Sequence, residues 1–327
     1  MTSILEQPAA SRLPAAIAKR LRLPVIAAPM LHVSGPDLVV AACRAGVIGS
    51  FPTGNPGLMN DPSGLDGWLA RITAGLGDDR NAHAPVCPNI VMRNPDLDAH
   101  VDCVIRHGVE MVITSVGSPK LIMPRLRDAG VFVLSDVASV DHARKAVESG
   151  VDGLVLLTAG AGGQTGWLNP FAYVRAVRQF FDGPLVLAGG IIDGVALHAA
   201  RTLGCDLAYM GTKFIATHES LAGEAYRESL VNASMDDIML TKAFTGLWGS
   251  YLRPTIVAAG LDPDNLDESI SEARAREAFG GRSGGPRRWT ELKSAGHSVS
   301  GVTAVQSVAE LVAQTVQEYE GAVAARL

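Results

Sequence analysis

Short continuous runs of apolar residues recur along the chain, and each is followed by a segment with helical periodicity. Because the runs are continuous rather than alternating, both faces of each strand are expected to be buried, as in a parallel sheet covered by helices. The eight runs are 24-PVIAAP, 47-VIGSF, 85-PVCPNIV, 111-MVITSV, 131-VFVLSDV, 153-GLVLLT, 184-PLVLAGG and 207-LAYMGTKFI.

The regular spacing of these runs predicts repeated βα units, and eight units predict a closed barrel. Two of the intervening helices have clear ends: Ser139 and Asp193 are capping residues, and Gly150 and Gly204 close the helices. An open doubly wound sheet is the alternative, but it would place a glycine-rich loop after the first strand. Here glycines cluster after the last three strands instead, which favours the barrel.

We therefore predict an α/β fold, a (β/α)8 TIM barrel over residues 24–216, with an extension at 1–23 that contains a short Ala-rich helix over 12–22. The remaining segment, 217–327, is predicted to be a helical cap whose last helix packs back on the barrel. It contains a loop rich in glycine and arginine, 279-FGGRSGGPRRW. Its helical patterns cover residues 219–232, 236–245 and 302–319.

Composition and charge narrow the class of protein. The chain is 47% hydrophobic and 19% charged, which is typical of a globular protein, and its net charge of −5 excludes a basic surface for nucleic acid or anionic membrane. No apolar run reaches the roughly 18 residues of a membrane span. The four cysteines, Cys43, Cys87, Cys103 and Cys205, have no metal-binding or disulfide-framework spacing, so we expect thiols in the cytoplasm and no metal site.

The clearest chemical signal is a pair of glycine-containing turns after the seventh and eighth predicted strands, 187-LAGGIIDG and 209-YMGTKF. TIM barrels commonly bind a phosphate at these two strand ends, where glycine lets backbone N–H groups approach the oxygens. Gly189, Gly190, Gly211 and Thr212 are the predicted contacts. The alternative is that the glycines only make tight turns.

A second signal is the long glycine-rich loop 159-AGAGGQTGWLNP after the sixth predicted strand. A simple connection between strand and helix needs two to six residues, roughly half of this length. The loop would let a flat ligand lie against its backbone; the alternative is an ordinary surface loop.

Taken in order, these motifs resemble the nitronate monooxygenase, or 2-nitropropane dioxygenase, family. The string PxxxAPM ending at Met30 is similar to the family's first flavin-contacting turn, and 88-PNIV is similar to its third strand. GAGGQTG resembles the family's AGGHxG loop, AGGI and MGTKF resemble its phosphate-binding pair, and 294-SAGH resembles a late segment. Enoyl reductases that use flavin mononucleotide (FMN) share much of this pattern.

The resemblance implies FMN as the cofactor. Ala28 and Met30 would border the flavin ring, with Asn89 beside it. The remaining contacts fall into two sets: Ala161, Gly162 and Gly163 would line the flavin edge, and Ala188, Gly189, Gly190, Gly211 and Thr212 would hold the phosphate.

The chain departs from the family at two positions. Gln164 stands where the family has the histidine that acts as general base, and a carboxamide does not accept a proton at neutral pH. Gln164 can still donate a hydrogen bond to a substrate oxygen, so we expect it to be catalytic. Asp136 stands near a position where relatives often have lysine; it is predicted to bind ribityl hydroxyls or to pair with Lys213. His32 is a further catalytic candidate, or an ordinary loop histidine.

The resemblance implies an oxidoreductase that oxidises a small organic substrate through flavin N5, with oxygen or another acceptor. The first alternative is an FMN-dependent reductase or dehydrogenase that uses NAD(P)H on enones, quinones or acyl thioesters. The second is a flavin-binding protein without activity. A cluster of Arg282, Arg287 and Arg288 indicates a phosphate-bearing partner, such as an acyl-CoA or NAD(P)H, or else a solvated loop. Monomer and homodimer both stay open.

Overall fold

Eight parallel strands follow the eight apolar runs one for one in the structure, a computed structural model that describes residues 11–79, 81–280 and 286–325. They form one sheet in the order β2-β1-β9-β8-β6-β5-β4-β3. The strands are β1 (Val25–Ala27), β2 (Ile48–Gly49), β3 (Asn89–Val91), β4 (Met111–Ser115), β5 (Phe132–Val137), β6 (Gly153–Leu157), β8 (Leu185–Ala188) and β9 (Leu207–Met210). The short strand β7 (Gly163–Gln164) lies outside this sheet.

The sheet closes between its two edge strands. Parallel bridges join Gly49 to Val86 and Pro52 to Asn89. The Asn89 N–H donates to the Phe51 carbonyl at 2.8 Å, so the ladder continues beyond the short strand β2. The predicted TIM barrel is confirmed.

Alternation along each strand divides the core into two layers. Inward-facing side chains such as Ile26, Ile113, Val155 and Val186 fill the barrel. The outward-facing neighbours pack against the helices, which explains why each run is apolar on both faces. At the carboxyl end of the barrel the inward positions become polar or small. They are Ala28, Asn89, Ser115, Asp136, Ala188 and Tyr209.

Helices follow the strands on the outside of the barrel. The predicted caps are confirmed: Ser139 accepts a hydrogen bond from the His142 N–H at 3.1 Å, and Asp193 accepts one from the Ala196 N–H at 2.8 Å. The helices are α1 (Ala15–Ala18), α2 (Pro36–Ala45), α3 (Asn55–Leu58), α4 (Gly64–Leu76), α5 (Leu97–Arg106), α6 (Met123–Asp128), α7 (Val140–Glu148), α8 (Pro170–Val177), α9 (Gly194–Leu203), α10 (Thr212–Ile215), α11 (Glu224–Val231), α12 (Arg253–Ala258), α13 (Glu272–Phe279) and α14 (Val308–Ala325).

The last helix packs on the barrel as predicted, against α9 and α2. The contact is so close that a Cβ atom at Gly194 would lie 2.2 Å from the Tyr319 nitrogen. The helix begins later than the predicted residue 302, because Ser307 and Glu310 form a capping box: the Glu310 carboxylate accepts from the Ser307 N–H at 2.8 Å.

The helical prediction for residues 236–245 is wrong. Ser234 and Asp237 cap a single turn, Met235–Asp237, and the chain then extends as β10 (Ile238–Thr241). This strand pairs antiparallel with β11 (Gly249–Leu252), which in turn pairs with β7. Pairing with β11 overrides the local helical pattern. The cap therefore contains two antiparallel strands besides its helices, and β7 from the loop after β6 joins them in a three-stranded sheet, while the exact domain boundaries stay a prediction.

The amino-terminal segment lies against the bottom of the barrel. The Arg12 N–H donates to Asp206 at 2.8 Å, and Leu13 and Ile17 are buried against the inner layer. The predicted helix is a single turn, α1, because the chain turns at Lys19 to enter β1. Residues 1–10 of the predicted extension, and Arg282 of the basic cluster, lie outside the described residues. No helix in the described part of the chain is long and apolar enough to cross a membrane.

Candidate active site

A cavity of about 1000 Å³ opens at the carboxyl ends of the barrel strands. The polar inward layer forms its floor, and residues of the cap, including Tyr226, Trp248 and Ser294, contribute to its walls. The structure brings most of the predicted site residues together around this cavity. They are Ala28, Met30, Asn89, Asp136, Ala161, Gly162, Gly163, Gln164, Ala188, Gly189, Gly190, Gly211 and Thr212. What they bind stays a prediction at this point.

The glycines after β8 and β9 form one wall of the cavity. Gly190 has φ of +73°, and a Cβ atom placed on it would meet nothing within 4 Å. At Gly189 a Cβ atom would lie 2.5 Å from the Thr158 hydroxyl oxygen, so this position has no room for a side chain. Gly211 faces Ala28 and Met30, at Cβ distances of 3.4 and 3.6 Å. This wall offers bare backbone to a ligand.

The loop after β6 is held by backbone contacts with the late segment 294-SAGH. The His297 N–H donates to the Gly160 carbonyl at 2.8 Å, and the Gly296 N–H donates to the Thr212 hydroxyl at 2.9 Å. A Cβ atom at Gly162 would lie 2.8 Å from the Gly296 nitrogen. The two segments therefore pack with backbone against backbone, which explains the glycines in both.

Ser294 joins the loop to the cap. Its hydroxyl accepts a hydrogen bond from the Gly163 N–H at 2.6 Å and donates one to the Ser250 carbonyl at 2.6 Å. The Tyr226 hydroxyl donates to the Ser294 carbonyl. The loop and the antiparallel sheet are thus fastened at one point beside the cavity.

Gln164 lies on β7, opposite Gly249 of β11, and lines the cavity. Its backbone is fixed by this pairing, and the next N–H, of Thr165, donates to the Trp248 carbonyl at 3.0 Å. A carboxamide at this position offers both a donor and an acceptor to a ligand, without a charge.

Two polar groups of the floor are buried without partners among the described residues. Asp136 borders the cavity, but its Oδ1 is buried and has no hydrogen bond, and the same holds for the Tyr209 hydroxyl. Burial raises the pKa of Asp136 to about 8, so the carboxyl group is largely protonated at neutral pH. The pKa of Tyr209 is also raised. Burial is the larger cause, and the negative charge that Asp136 carries when ionised is a smaller one. Buried polar atoms normally have a hydrogen-bond partner, and the described residues supply none for these two.

Asn89 has a defined hydrogen-bond partner. The Ser115 hydroxyl donates to its Oδ1 at 3.0 Å. Because the amide oxygen is engaged, the amide N–H groups are the donors left for a ligand in the cavity.

Lys213 does not pair with Asp136. Its ammonium group donates to the Gly301 carbonyl at 2.7 Å, away from the floor of the cavity. His32 is half-buried in the turn after Met30, with φ of +60°, and its N–H donates to Asn55 at 3.3 Å. It is not among the residues that line the cavity, so its catalytic role stays a prediction without support from this geometry.

Sequence reasoning missed the charged residues at the cavity mouth. Arg93, Lys145, Arg276 and Arg288 all line the cavity, and the Arg93 guanidinium contacts Glu272 at 2.7 Å. Only Arg288 belonged to the predicted basic cluster. The others come from three separate elements, and Arg93 alone carried a signal, since it follows the carboxyl end of β3 by two residues.

Comparison with known proteins agrees with this architecture. The sequence profile of the nitronate monooxygenase family matches residues 79–318. A 5-hydroxy-7a-methyl-1-oxo-octahydro-1H-indene-4-carboxyl-CoA dehydrogenase from Rhodococcus jostii is 25% identical over 269 residues, 82% of this chain and 73% of the relative. A nitronate monooxygenase from Paraburkholderia phytofirmans is 26% identical over 281 residues, 73% of this chain and 76% of the relative.

The structure is also similar to that of FabK from Thermotoga maritima. The TM-score is 0.80 at 25% identity, with 97% of this chain and 98% of that chain covered. The chain belongs to the nitronate monooxygenase family of flavin-dependent oxidoreductases.

Proposed function

We propose that this enzyme binds FMN and reduces the carbon–carbon double bond of an α,β-unsaturated coenzyme A thioester, with a hydride delivered to the β-carbon and a proton taken up from water at the α-carbon. The observation that carries the cofactor is the glycine wall. A Cβ atom added to Gly190 would face the open cavity, whereas a Cβ atom added to Gly189 would have no room. A phosphate at the ends of β8 and β9 fits this arrangement.

The floor of the cavity also fits the rest of such a cofactor. The unpartnered Asp136 carboxyl and Tyr209 hydroxyl supply hydrogen bonds for polar groups, and Asn89 supplies amide donors. Ala28, Met30 and Ala161 supply apolar contacts for a flat ring. When bound, the flavin supplies the two-electron redox chemistry.

The remaining part of the mechanism belongs to Gln164. Its carboxamide N–H can donate to a carbonyl oxygen of the substrate, which orients and polarises the carbonyl without a proton transfer. A thioester substrate is supported by the CoA dehydrogenase among the relatives and by a cavity of about 1000 Å³ with a cationic mouth.

The four cysteines are free and buried, which supports a reducing compartment such as the cytoplasm.

Oxidation of an alkyl nitronate by oxygen is the second candidate. A nitronate is already an anion and needs no base, so Gln164 in place of histidine is compatible with it. A nitronate monooxygenase is among the relatives.

Anaerobic mixing of the flavin-loaded protein tests both functions. Return of the flavin absorbance when an enoyl-CoA is added to enzyme reduced by NAD(P)H supports the first candidate. Loss of the flavin absorbance with propyl nitronate alone supports the second. If a broad set of thioesters and nitronates leaves the spectrum unchanged, both are wrong.

A further inference from the structure

Two arginines of the cap face the mouth of the cavity from neighbouring segments. Arg276 lies on α13, and Arg288 lies in the segment that follows residues 281–285. Both line the cavity. They are close enough to interact: after burial, the charge of Arg276 is one of the factors that lower the pKa of Arg288.

Neither guanidinium has an acidic partner in the parts of the chain that the structure describes. Glu272, one turn before Arg276 on α13, is paired with Arg93 instead. Arg288 donates only to the Phe244 carbonyl, at 3.4 Å. The sequence of residues 281–285, GRSGG, contains no acid either. Arg276 is exposed and Arg288 is half-buried, so both present positive charge that an anionic ligand in the cavity would neutralise.

The helix that carries Arg276 contacts the side of the barrel opposite the glycine wall. In the closed sheet, β8 and β9 are opposite β3 and β4. Arg93 follows β3, and its ion pair with Glu272 holds α13 on that side of the barrel. The contact made by α13 is therefore on the opposite side from the place proposed for the FMN phosphate, so we expect Arg276 to meet a different anionic group.

We propose that Arg276 and Arg288 form an anion subsite that binds a phosphate group on the nucleotide end of the substrate or cosubstrate. This inference rests on the proposed function for the class of ligand. Guanidinium groups bind phosphate with paired, charge-assisted hydrogen bonds. Trp289, next to Arg288, also lines the cavity, and its stacking on Tyr251 with ring centroids 5.2 Å apart holds that segment in place.

The test measures binding rather than turnover. The dissociation constants of CoA, 3′-dephospho-CoA, NADPH and NADH are determined by calorimetry on FMN-loaded protein, for wild type, Arg276→Gln and Arg288→Gln. The controls are Arg274→Gln on the same helix and Arg287→Gln beside Arg288, neither of which lines the cavity. We expect each cavity variant to weaken CoA or NADPH by about 10- to 150-fold, the loss of a charged hydrogen bond, with FMN affinity unchanged.

The ligands identify the source of the phosphate. A smaller loss with 3′-dephospho-CoA than with CoA assigns the contact to the 3′-phosphate, and an equal loss assigns it to the diphosphate. A loss with NADPH but not with NADH assigns it to the 2′-phosphate of a cosubstrate. The inference is overturned if Arg276→Gln and Arg288→Gln bind every ligand as the controls do, or if wild type binds none of them. If the two variants bind every ligand as the controls do and an enoyl-CoA still reoxidises the reduced flavin, the proposed function stands and only the subsite fails.

Discussion

The neutral side chain of Gln164 limits the substrates that the enzyme is expected to oxidise or reduce. It occupies the position of the histidine in the AGGHxG motif that the chain otherwise resembles, and it lines the cavity from β7. A neutral carboxamide can hold a substrate oxygen but cannot remove a proton. Substrates that must be deprotonated first, such as neutral nitroalkanes, are therefore expected to react poorly.

Replacement of Gln164 separates a role in turnover from a role in structure. Gln164→Ala should lower kcat/KM by about 5- to 150-fold, corresponding to about 1–3 kcal/mol of lost hydrogen bonding, with FMN affinity unchanged. Gln164→His should raise nitroalkane oxidation. If Gln164→Ala instead weakens FMN binding and leaves kcat/KM of the loaded enzyme unchanged, the side chain only supports the loop.

Asp136 gives the cofactor affinity a dependence on pH. Burial raises the pKa of this carboxyl to about 8. The protonated form, which can donate a hydrogen bond, is present below that pH and is lost as the pH rises through it. The dissociation constant of FMN should therefore be constant from about pH 6 to pH 7 and increase above about pH 8.

The matched variant is Asp136→Asn, which keeps a donor of the same shape at every pH. It should remove the step in FMN affinity near pH 8. A step that persists in this variant would have to come from another group, and the proposed contact between Asp136 and the cofactor would be wrong.

At the scale of elements, the glycines of the cavity have two different functions. Gly190 faces open space with φ of +73°, whereas a Cβ atom at Gly162 would collide with the backbone of Gly296 at 2.8 Å. Substitution at the first position should act mainly on ligand binding, and substitution at the second on the packing of the loop.

Gly190→Asp should weaken FMN binding at least about tenfold more than Gly190→Ala, about 1.4 kcal/mol. Both carry the same backbone strain, but only aspartate adds a negative charge beside the phosphate. Gly162→Ala should lower the free energy of unfolding by about 1–3 kcal/mol. Equal FMN affinities for Gly190→Asp and Gly190→Ala, measured by fluorescence titration, would move the phosphate away from this wall.

The Ser294 hydroxyl links the loop after β6 to the antiparallel sheet by hydrogen bonds. Ser294→Ala removes one acceptor, for the Gly163 N–H, and one donor, to the Ser250 carbonyl. We expect a loss of about 1–3 kcal/mol in the free energy of unfolding by urea. Ser229→Ala, whose hydroxyl contacts only its own helix at the Tyr226 carbonyl, is the control and should change it by less than about 0.5 kcal/mol. Similar effects of the two variants would contradict the role of Ser294.

The barrel could be predicted from sequence because its signals are local and repeated. Each strand is one apolar run, and capping residues such as Ser139 and Asp193 mark where helices begin. The cap could not be predicted in the same way. The strand Ile238–Thr241 owes its conformation to pairing with residues 249–252, which no local pattern reports. The capping box at Ser307 and Glu310 is a local signal, and it marks where the last helix begins.

The candidate site shows the same difference between residues with a local sequence signal and residues placed by long-range packing. Its glycines and the residues after strands follow from motifs, so Asn89, Gly190 and Gln164 could be predicted. Arg276 and Arg93 reach the cavity only through the packing of α13 over β3. His32 adjoins a motif in sequence, yet its turn places it outside the cavity lining, because proximity in sequence does not fix the direction of a loop.

At the scale of the whole molecule, charge is distributed unevenly. The chain carries a net charge of −5, yet four cations line the cavity. Arg93 and Lys145 are paired with Glu272 and Asp141, whereas Arg276 and Arg288 have no acidic partner among the described residues. A cationic opening on an acidic protein attracts anionic ligands and raises their rate of association. In our proposal, the glycine wall is the end of the cavity for the cofactor and the arginines mark the end for the substrate.

Identification of the flavin that the purified protein carries tests whether this cavity holds FMN. Purified protein, reconstituted with equal concentrations of FMN and FAD and then desalted, is denatured, and the released flavin is analysed by mass spectrometry. We expect about one FMN per chain and almost no FAD. The glycine wall after β8 and β9 fits a single phosphate group, and no dinucleotide motif follows β1. Release of FAD, or of no flavin at all, would contradict the account.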